Sequence, residues 1–436
     1  MEKYLNICYH MRINISINRW KICYWLLMVC LLWAPVTGIF DVIYIFRQKY
    51  VDVLLTSPEA TATRVVRDFL IVIFYIYFIL FIIIPDRIKL RCNTNGNIFV
   101  ISILLLSSSI LLSVLYSILV VKLPLMVIAL GLKSFLYVPL FPIAWIFSKE
   151  YPYAFKGIRK AILFILIIEL LFGLLEIRYA PPYHGVTVFG LGSIPEGTFT
   201  HYNIYAAFLS FMIMGHLFIR NLSITKILFI STLIMIFLAQ SRSGWVIVAF
   251  LLSIWFVKDF IKDSSIRGAV VAILPFFMLL IIVLPSMVFV ARQTAAQRGV
   301  MGDPRWHIWA TYLTRDLSLS QVGIGSGVGL ASQAVFTYFG DPFPGQFVAD
   351  SMHLALFAQY GLLGMTLFYC VMFLIMYELY GWITFIVSMV ILIMGFTSNF
   401  LETYPINLLL PVMLAFHDLD FGHFSPVKPA PRINGY

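Results

Sequence analysis

Apolar residues run along this chain in long blocks, without the alternation of a strand or the single stripe of a surface helix. Ile22 to Phe46, Phe69 to Ile84, Ile98 to Val121 and Leu125 to Phe147 open a series that continues through Ser351 to Tyr377 and ends at Pro405 to Phe416. A bilayer core of about 30 Å takes about 20 apolar residues per helix, so the blocks predict about twelve transmembrane helices. The expected fold class is all-α, a polytopic membrane bundle with one large loop. Residues 1–290 form an N-terminal bundle of about nine helices, 291–350 the loop, 351–416 the C-terminal helices, and 417–436 a proline-containing tail.

Composition agrees with this division. The chain of 436 residues is 61% hydrophobic and 11% charged, against about 45 to 50% and about 25% in a soluble domain. Too little polar surface remains to cover separate water-facing bodies. The net charge of +10 would suit nucleic acid if the basic residues were clustered, but they are scattered between apolar blocks and read as topology signals. With the basic N-terminal tail inside, alternating sides places 18 Lys and Arg inside and ten outside. The same alternation puts the 291–350 loop and the C-terminal tail on the outer and inner sides respectively. Five cysteines without a CxxC pair predict neither a disulfide framework nor a metal centre. No His, Asp or Glu cluster has metal-ligand spacing, and no cofactor is expected.

Four groups of residues could carry chemistry. The first is Ser241-Arg242-Ser243-Gly244, enclosed by Lys226 and Lys258 in a stretch too short for two full spans, so the turn should be recessed. An Arg held there costs about 2.5 to 3.5 kcal/mol on insertion scales, which an anion or polar cavity would offset. The plain alternative is a snorkelling helix cap. The second is the outer-loop series Arg292, Arg298 and Arg305. Asp303-Pro304 reads as an N-cap with proline at the first helical position, placing Arg305 on a first turn whose free N–H groups favour anions. Guanidinium groups there could clamp a diphosphate, or simply form a solvated basic loop.

The third group is the run Gly323-Ile324-Gly325-Ser326-Gly327-Val328-Gly329. No strand-helix unit surrounds it, so a dinucleotide fold is excluded and close backbone packing or a sharp turn is expected. The fourth is Asp350-Ser351-Met352-His353, followed by Tyr360-Gly361-Leu362-Leu363-Gly364. Asp350 or Ser351 can cap a helix with His353 in its first turn, where the neutral imidazole of a general base is favoured. A structural histidine is the alternative.

In their order along the chain these groups resemble the O-antigen polymerase and O-antigen ligase superfamily of bacterial cell envelopes. The resemblance rests on the Ser-Arg-Ser-Gly turn, Arg305-Trp306 with Trp309 behind it, the glycine run, and His353 followed by Gly361 and Gly364. Phe199 to Ala207, with Asn203 at its centre, resembles the family's Asn-containing segment. The likeness covers roughly Thr198 to Gly364. It implies a GT-C-like glycosyltransferase of the bacterial inner membrane, working at the periplasmic face without metal or cofactor. Its substrate would be an undecaprenyl-diphosphate-linked oligosaccharide, with the bilayer as surroundings and a chain-length regulator and a flippase as partners.

Carried onto this sequence, the resemblance makes Arg242, Arg298 and Arg305 the groups that bind and neutralise the departing diphosphate. Arg292, Asn203, Gly325 and Gly327 would help bind substrate, Lys133 would be an accessory cation, and His353 would orient or deprotonate the acceptor hydroxyl. The family's His-Asn pair is His353-Leu354 here, a departure that removes one acceptor contact. Polymerisation of repeat units is favoured over ligation to the lipid A core. A flippase or transporter would require charges along a central path, whereas Glu169 and Lys133 are nearly the only mid-span ones.

Overall fold

The computed structural model describes residues 19–33, 35–36, 38–39, 58–84, 96–179, 193–199, 202–219, 222–260, 312, 316–331, 351–381, 383–395, 399 and 406–417. Among them the chain is all-α and no strand forms. The helices are α1 (19–32), α2 (Pro58–Phe78, continuing through a π turn at Ile79–Ile83), α3 (Gly96–Leu119), α4 (Leu125–Leu132), α5 (Leu140–Glu150) and α6 (Ala154–Tyr179). They continue as α7 (Tyr202–Phe218), α8 (Lys226–Leu238), α9 (Arg242–Phe260), α10 (Leu319–Ile324), α11 (Met352–Tyr380), α12 (Ile383–Gly395) and α13 (Ile406–Leu414). The expected span from Ala269 to Val290 lies outside the described residues.

Two segments, Ala62–Ile83 and Met352–Tyr380, are long and apolar enough to cross a membrane. In the most apolar 18-residue window of each, only 28% and 33% of the residues are buried, less than in a helix enclosed by a soluble core. Val65, Phe69 and Ile84 instead turn apolar side chains outward. The centre is α7, which packs against α6, α8, α9 and α13 by direct contact or through the turn that precedes it. Nearly every α7 position from Tyr205 to Gly215 is buried. A helix apolar on all faces is stable only when surrounded. Its serine hydroxyl, Ser210 Oγ, is satisfied by the Ala206 carbonyl at 2.7 Å, and the Tyr205 hydroxyl by the Glu169 carbonyl at 3.2 Å.

Two expected spans are not single helices. Leu125 to Phe147 divides into α4, a 3₁₀ turn at Lys133–Phe135, and α5. Pro139 stands at the α5 N-cap, where a missing N–H costs nothing, and could not have continued α4. The other is Ser351 to Tyr377, broken at Gly361, whose φ of 68° and ψ of −175° lie far from helical values. His353 Nδ1 is hydrogen-bonded to the Tyr369 hydroxyl. Sixteen residues of unbroken helix would hold these two about 24 Å apart at 1.5 Å per residue. The chain therefore folds back at Gly361 into a helical elbow, a short arm Met352 to Tyr360 against a long arm Leu362 to Tyr380. The long arm, at about 28 Å, still matches a bilayer core.

Candidate functional site

The recessed turn expected at Ser241 is present and buried. Ala239 and Ser241 have no exposed surface and Gln240 has 6%. α8, with 13 residues, is about 20 Å long and stops short of a full crossing. Gln240 takes φ 52°, a left-handed conformation that non-glycine residues avoid at about 1 kcal/mol or more. The surroundings hold it there: Trp245 stacks on Phe237 with centroids 5.0 Å apart, and its Nε1–H donates to the Ile236 carbonyl at 3.0 Å.

Ser241 caps α9, its Oγ accepting from Gly244 N–H at 3.4 Å. The same hydroxyl donates to Asn203 Oδ1 at 2.9 Å. Asn203 is the second residue of α7. The N-termini of two packed helices thus meet at one buried point, and Arg242 is the first residue of α9 beside it. Free N–H groups and aligned dipoles at such a meeting favour an anion. The Arg242 side chain lies outside the described residues, as do Arg292, Arg298 and Arg305 entirely.

What brings Asn203 to this point is a carboxylate clamp that the sequence did not reveal. Glu176 Oε2 accepts both Glu196 N–H and Gly197 N–H at 2.7 Å, and Glu169 Oε2 accepts Thr198 N–H at 2.8 Å. The Thr198 hydroxyl donates to the other Glu169 oxygen. These bonds pin the turn Gly197–Phe199 onto α6 immediately before α7 begins. Four donors occupy the two α6 carboxylates, so the cluster is an anchor rather than a cation site. Glu196 differs, because its Oε1 is buried without a hydrogen-bond partner.

Burial pushes the Glu196 carboxyl from 4.5 up to about 8. An unfolded chain releases that proton near pH 4.5, whereas the folded chain holds it to about 8. Its contribution to stability is therefore fully present below 4.5 and is lost as pH rises through 8. Glu196→Gln, which mimics the protonated form, should leave the thermal midpoint unchanged at pH 4 and raise it at pH 9. Equal midpoints for variant and wild type at pH 9 would show that Glu196 is not held protonated.

The glycine run packs as closely as expected, and it packs against the elbow. A Cβ on Gly361 would lie 2.2 Å from the Gly323 carbonyl oxygen, one on Gly325 2.4 Å from the Gln359 carbonyl, and one on Gly329 2.4 Å from the Val127 carbonyl. Ser326 N–H donates to the Ala358 carbonyl at 2.7 Å, capping the short arm where its own helix has stopped. Gly329 N–H donates to Gln359 Oε1 at 2.9 Å. From the other side α3 presents Ser109, Ser113 and Ser117 on one face. Ser113 Oγ donates to the Ile324 carbonyl and Ser117 Oγ accepts Val328 N–H, both at 2.8 Å. Gly325 and Gly327, with φ of 101° and 138°, need glycine on conformational grounds as well.

No protein-family model matches this chain, and no curated protein or solved structure does.

His353 sits on the first turn of the short arm, capped by Ser351, whose Oγ accepts Leu354 N–H at 3.4 Å and donates to the Gly395 carbonyl at 2.7 Å. Its ring fills the space beside Gly395, where a Cβ would come within 2.7 Å of it. Nε2 meets the Leu392 carbonyl at 2.9 Å and Nδ1 meets the Tyr369 hydroxyl. α12, which carries Leu392 and Gly395, packs in turn on α9, linking the histidine to the helix that begins at Arg242. Lys133 is elsewhere: its Nζ pairs with Asp68, which also holds Arg67 at 2.7 Å and accepts from the Tyr137 hydroxyl at 3.4 Å. Asp68, the acid immediately before the apolar block from Phe69, is the sequence feature that could have suggested that pairing.

Proposed function

We propose that this chain is a membrane glycosyltransferase that extends a lipid-diphosphate-linked oligosaccharide, an O-antigen or related surface-polysaccharide polymerase of the inner membrane acting at its periplasmic face. The observation that carries this reading is the buried meeting of two helix N-termini at Asn203 and Ser241, with Arg242 beside it, in a body whose outer faces are apolar. Such a point suits a phosphate-bearing group attached to a lipid. The diphosphate is the leaving group, and fixed N–H dipoles and guanidinium charge stabilise what develops on it in the transition state. Arg298 and Arg305 of the outer loop complete the clamp, and His353 on the adjoining helices handles the acceptor. The GT-C-like architecture and the twelve spans belong to the same proposal.

The test is complementation of a deletion strain. Loss of the chain should leave lipopolysaccharide core capped with a single repeat unit, and the wild-type gene should restore the ladder. Arg242→Ala and Arg305→Ala should each fail to restore it at normal protein level. A charge-assisted contact made mainly in the transition state contributes about 1.5 to 3 kcal/mol, a loss of about 10- to 150-fold in turnover. Arg→Lys should recover only part, since an ammonium lacks the bidentate fork. Uncapped core with polymer left on the lipid carrier would identify a ligase instead. A full ladder in either Ala variant would remove that cation from the site.

A further inference from the structure

Among the described residues α6 is open on one face only, and that face changes character along its length. Lys156, Lys160, Phe164, Ile167, Leu171 and Leu174 follow one another at helical spacing and are all exposed, while Ile158, Ile162, Ile165 and Leu166 behind them are buried. The face is basic in its first two turns and apolar beyond. α8 repeats the arrangement, with exposed Lys226 at its start followed by exposed Ile230, Ile234 and Phe237. The two helices pack together. Arg159 of α6 donates to the Ser223 carbonyl at 2.8 Å, shortly before α8 begins, so the two basic ends lie side by side.

The fold itself does not favour these cations. Lys156 and Lys160 are four residues apart, where like charges repel, and they sit at a helix N-terminus, whose dipole disfavours positive charge. Lys156, Lys160 and Lys226 make no ion pair among the described residues. A topology signal would be met equally by basic residues in the loop before α6. The first N–H groups of α6 are already engaged, those of Ala154 and Phe155 donating to the Tyr151 and Pro152 carbonyls at 3.2 and 3.1 Å. An anion at this end is therefore held by side chains, and the apolar stripe below it shows what the anion is attached to. Lys160 to Leu171 is about 16 Å along the helix, close to half of a bilayer core of about 30 Å. We infer that this face of α6 binds an anionic phospholipid, its phosphate on Lys156 and Lys160 and an acyl chain along Phe164, Ile167 and Leu171. Lys226 at the adjoining helix start adds positive potential. The site is independent of the transferase reading and needs only a bilayer around the chain.

The experiment titrates the full-length protein in detergent with phosphatidylglycerol or phosphatidylcholine and reads bound lipid by native mass spectrometry. Wild type should bind phosphatidylglycerol about tenfold or more tightly than phosphatidylcholine, and the preference should shrink as salt is added. Lys156→Gln with Lys160→Gln should weaken phosphatidylglycerol about 30-fold and leave phosphatidylcholine unchanged. Lys122→Gln with Arg178→Gln removes the same charge from the turn after α3 and the far end of α6, and should change neither lipid. Free sn-glycerol 3-phosphate, which has the phosphate but no chains, should fail to displace the lipid at millimolar concentration. Displacement by it would reduce the site to one for phosphate and overturn the lipid assignment. Equal losses in the two double variants would overturn it too, since net charge and not this face would then set the affinity. Equal binding of the two lipids by wild type overturns the proposal whatever the variants do, which keeps the test valid if a variant folds poorly.

Discussion

His353→Gln should be produced at the wild-type level, bind lipid-linked donor normally, and turn it over about 10²- to 10⁴-fold more slowly. Glutamine is the informative substitution because of the two contacts the ring makes. Its amide N–H₂ can donate to the Leu392 carbonyl and its amide oxygen can accept from the Tyr369 hydroxyl, so both hydrogen bonds have a replacement. What it lacks is a nitrogen that takes up a proton. A purely structural histidine would therefore be rescued by glutamine and a proton-accepting one would not. His353→Ala cannot separate these roles. It strands the Tyr369 hydroxyl and the Leu392 carbonyl at a cost of about 1 to 3 kcal/mol, and leaves an empty space against Gly395. The measurement is single-turnover transfer of purified donor by the glutamine variant. A rate within a few-fold of wild type would take His353 out of the mechanism and leave catalysis to arginine electrostatics and acceptor positioning.

The sequence showed some of this site and concealed the rest, for identifiable reasons. The Ser241 turn was legible because length alone forbids two full spans between Lys226 and Lys258. The close packing of Gly323 to Gly329 was legible because glycines at alternate positions permit backbone approaches that no other residue does. The elbow was not, since hydropathy is continuous from Met352 to Tyr380 and a lone glycine in an apolar run does not by itself reveal a change of direction. The clamp of Glu169 and Glu176 was hidden for another reason. Three of its four bonds join a helix to backbone N–H groups of a turn 20 to 29 residues later, and backbone partners leave no mark in residue types. The serine face of α3 had a signal in the four-residue spacing of Ser109, Ser113 and Ser117, which marks one side of an apolar helix as polar. Only the fold shows that this side receives the glycine run, at Ser113 and Ser117, together with Gly364 of α11, at Ser109.

Gly361→Ala should abolish the folded protein, while Gly381→Ala, at nearly the same φ, should cost far less. Both glycines combine positive φ, 68° and 62°, with extended ψ, −175° and −135°, a combination other residues avoid, so conformational strain alone, about 1 to 3 kcal/mol, predicts similar losses. Their surroundings differ. A Cβ at Gly381 meets nothing within 4 Å, whereas at Gly361 it would come 2.2 Å from the Gly323 carbonyl oxygen and 2.6 Å from Ile324 N. Those are backbone atoms and cannot swing aside, so the loop must leave the elbow. Its departure also breaks the bond from Ser326 N–H to the Ala358 carbonyl and the bond from Gly329 N–H to Gln359, uncovering buried polar groups at about 1 to 3 kcal/mol each. The summed loss, about 5 kcal/mol or more, approaches the whole stability of a typical domain. Yield and thermal midpoint of the two variants in detergent measure the difference. Equal behaviour would mean that the glycine run does not support the elbow, and the placement of His353 beside Tyr369 would need another cause.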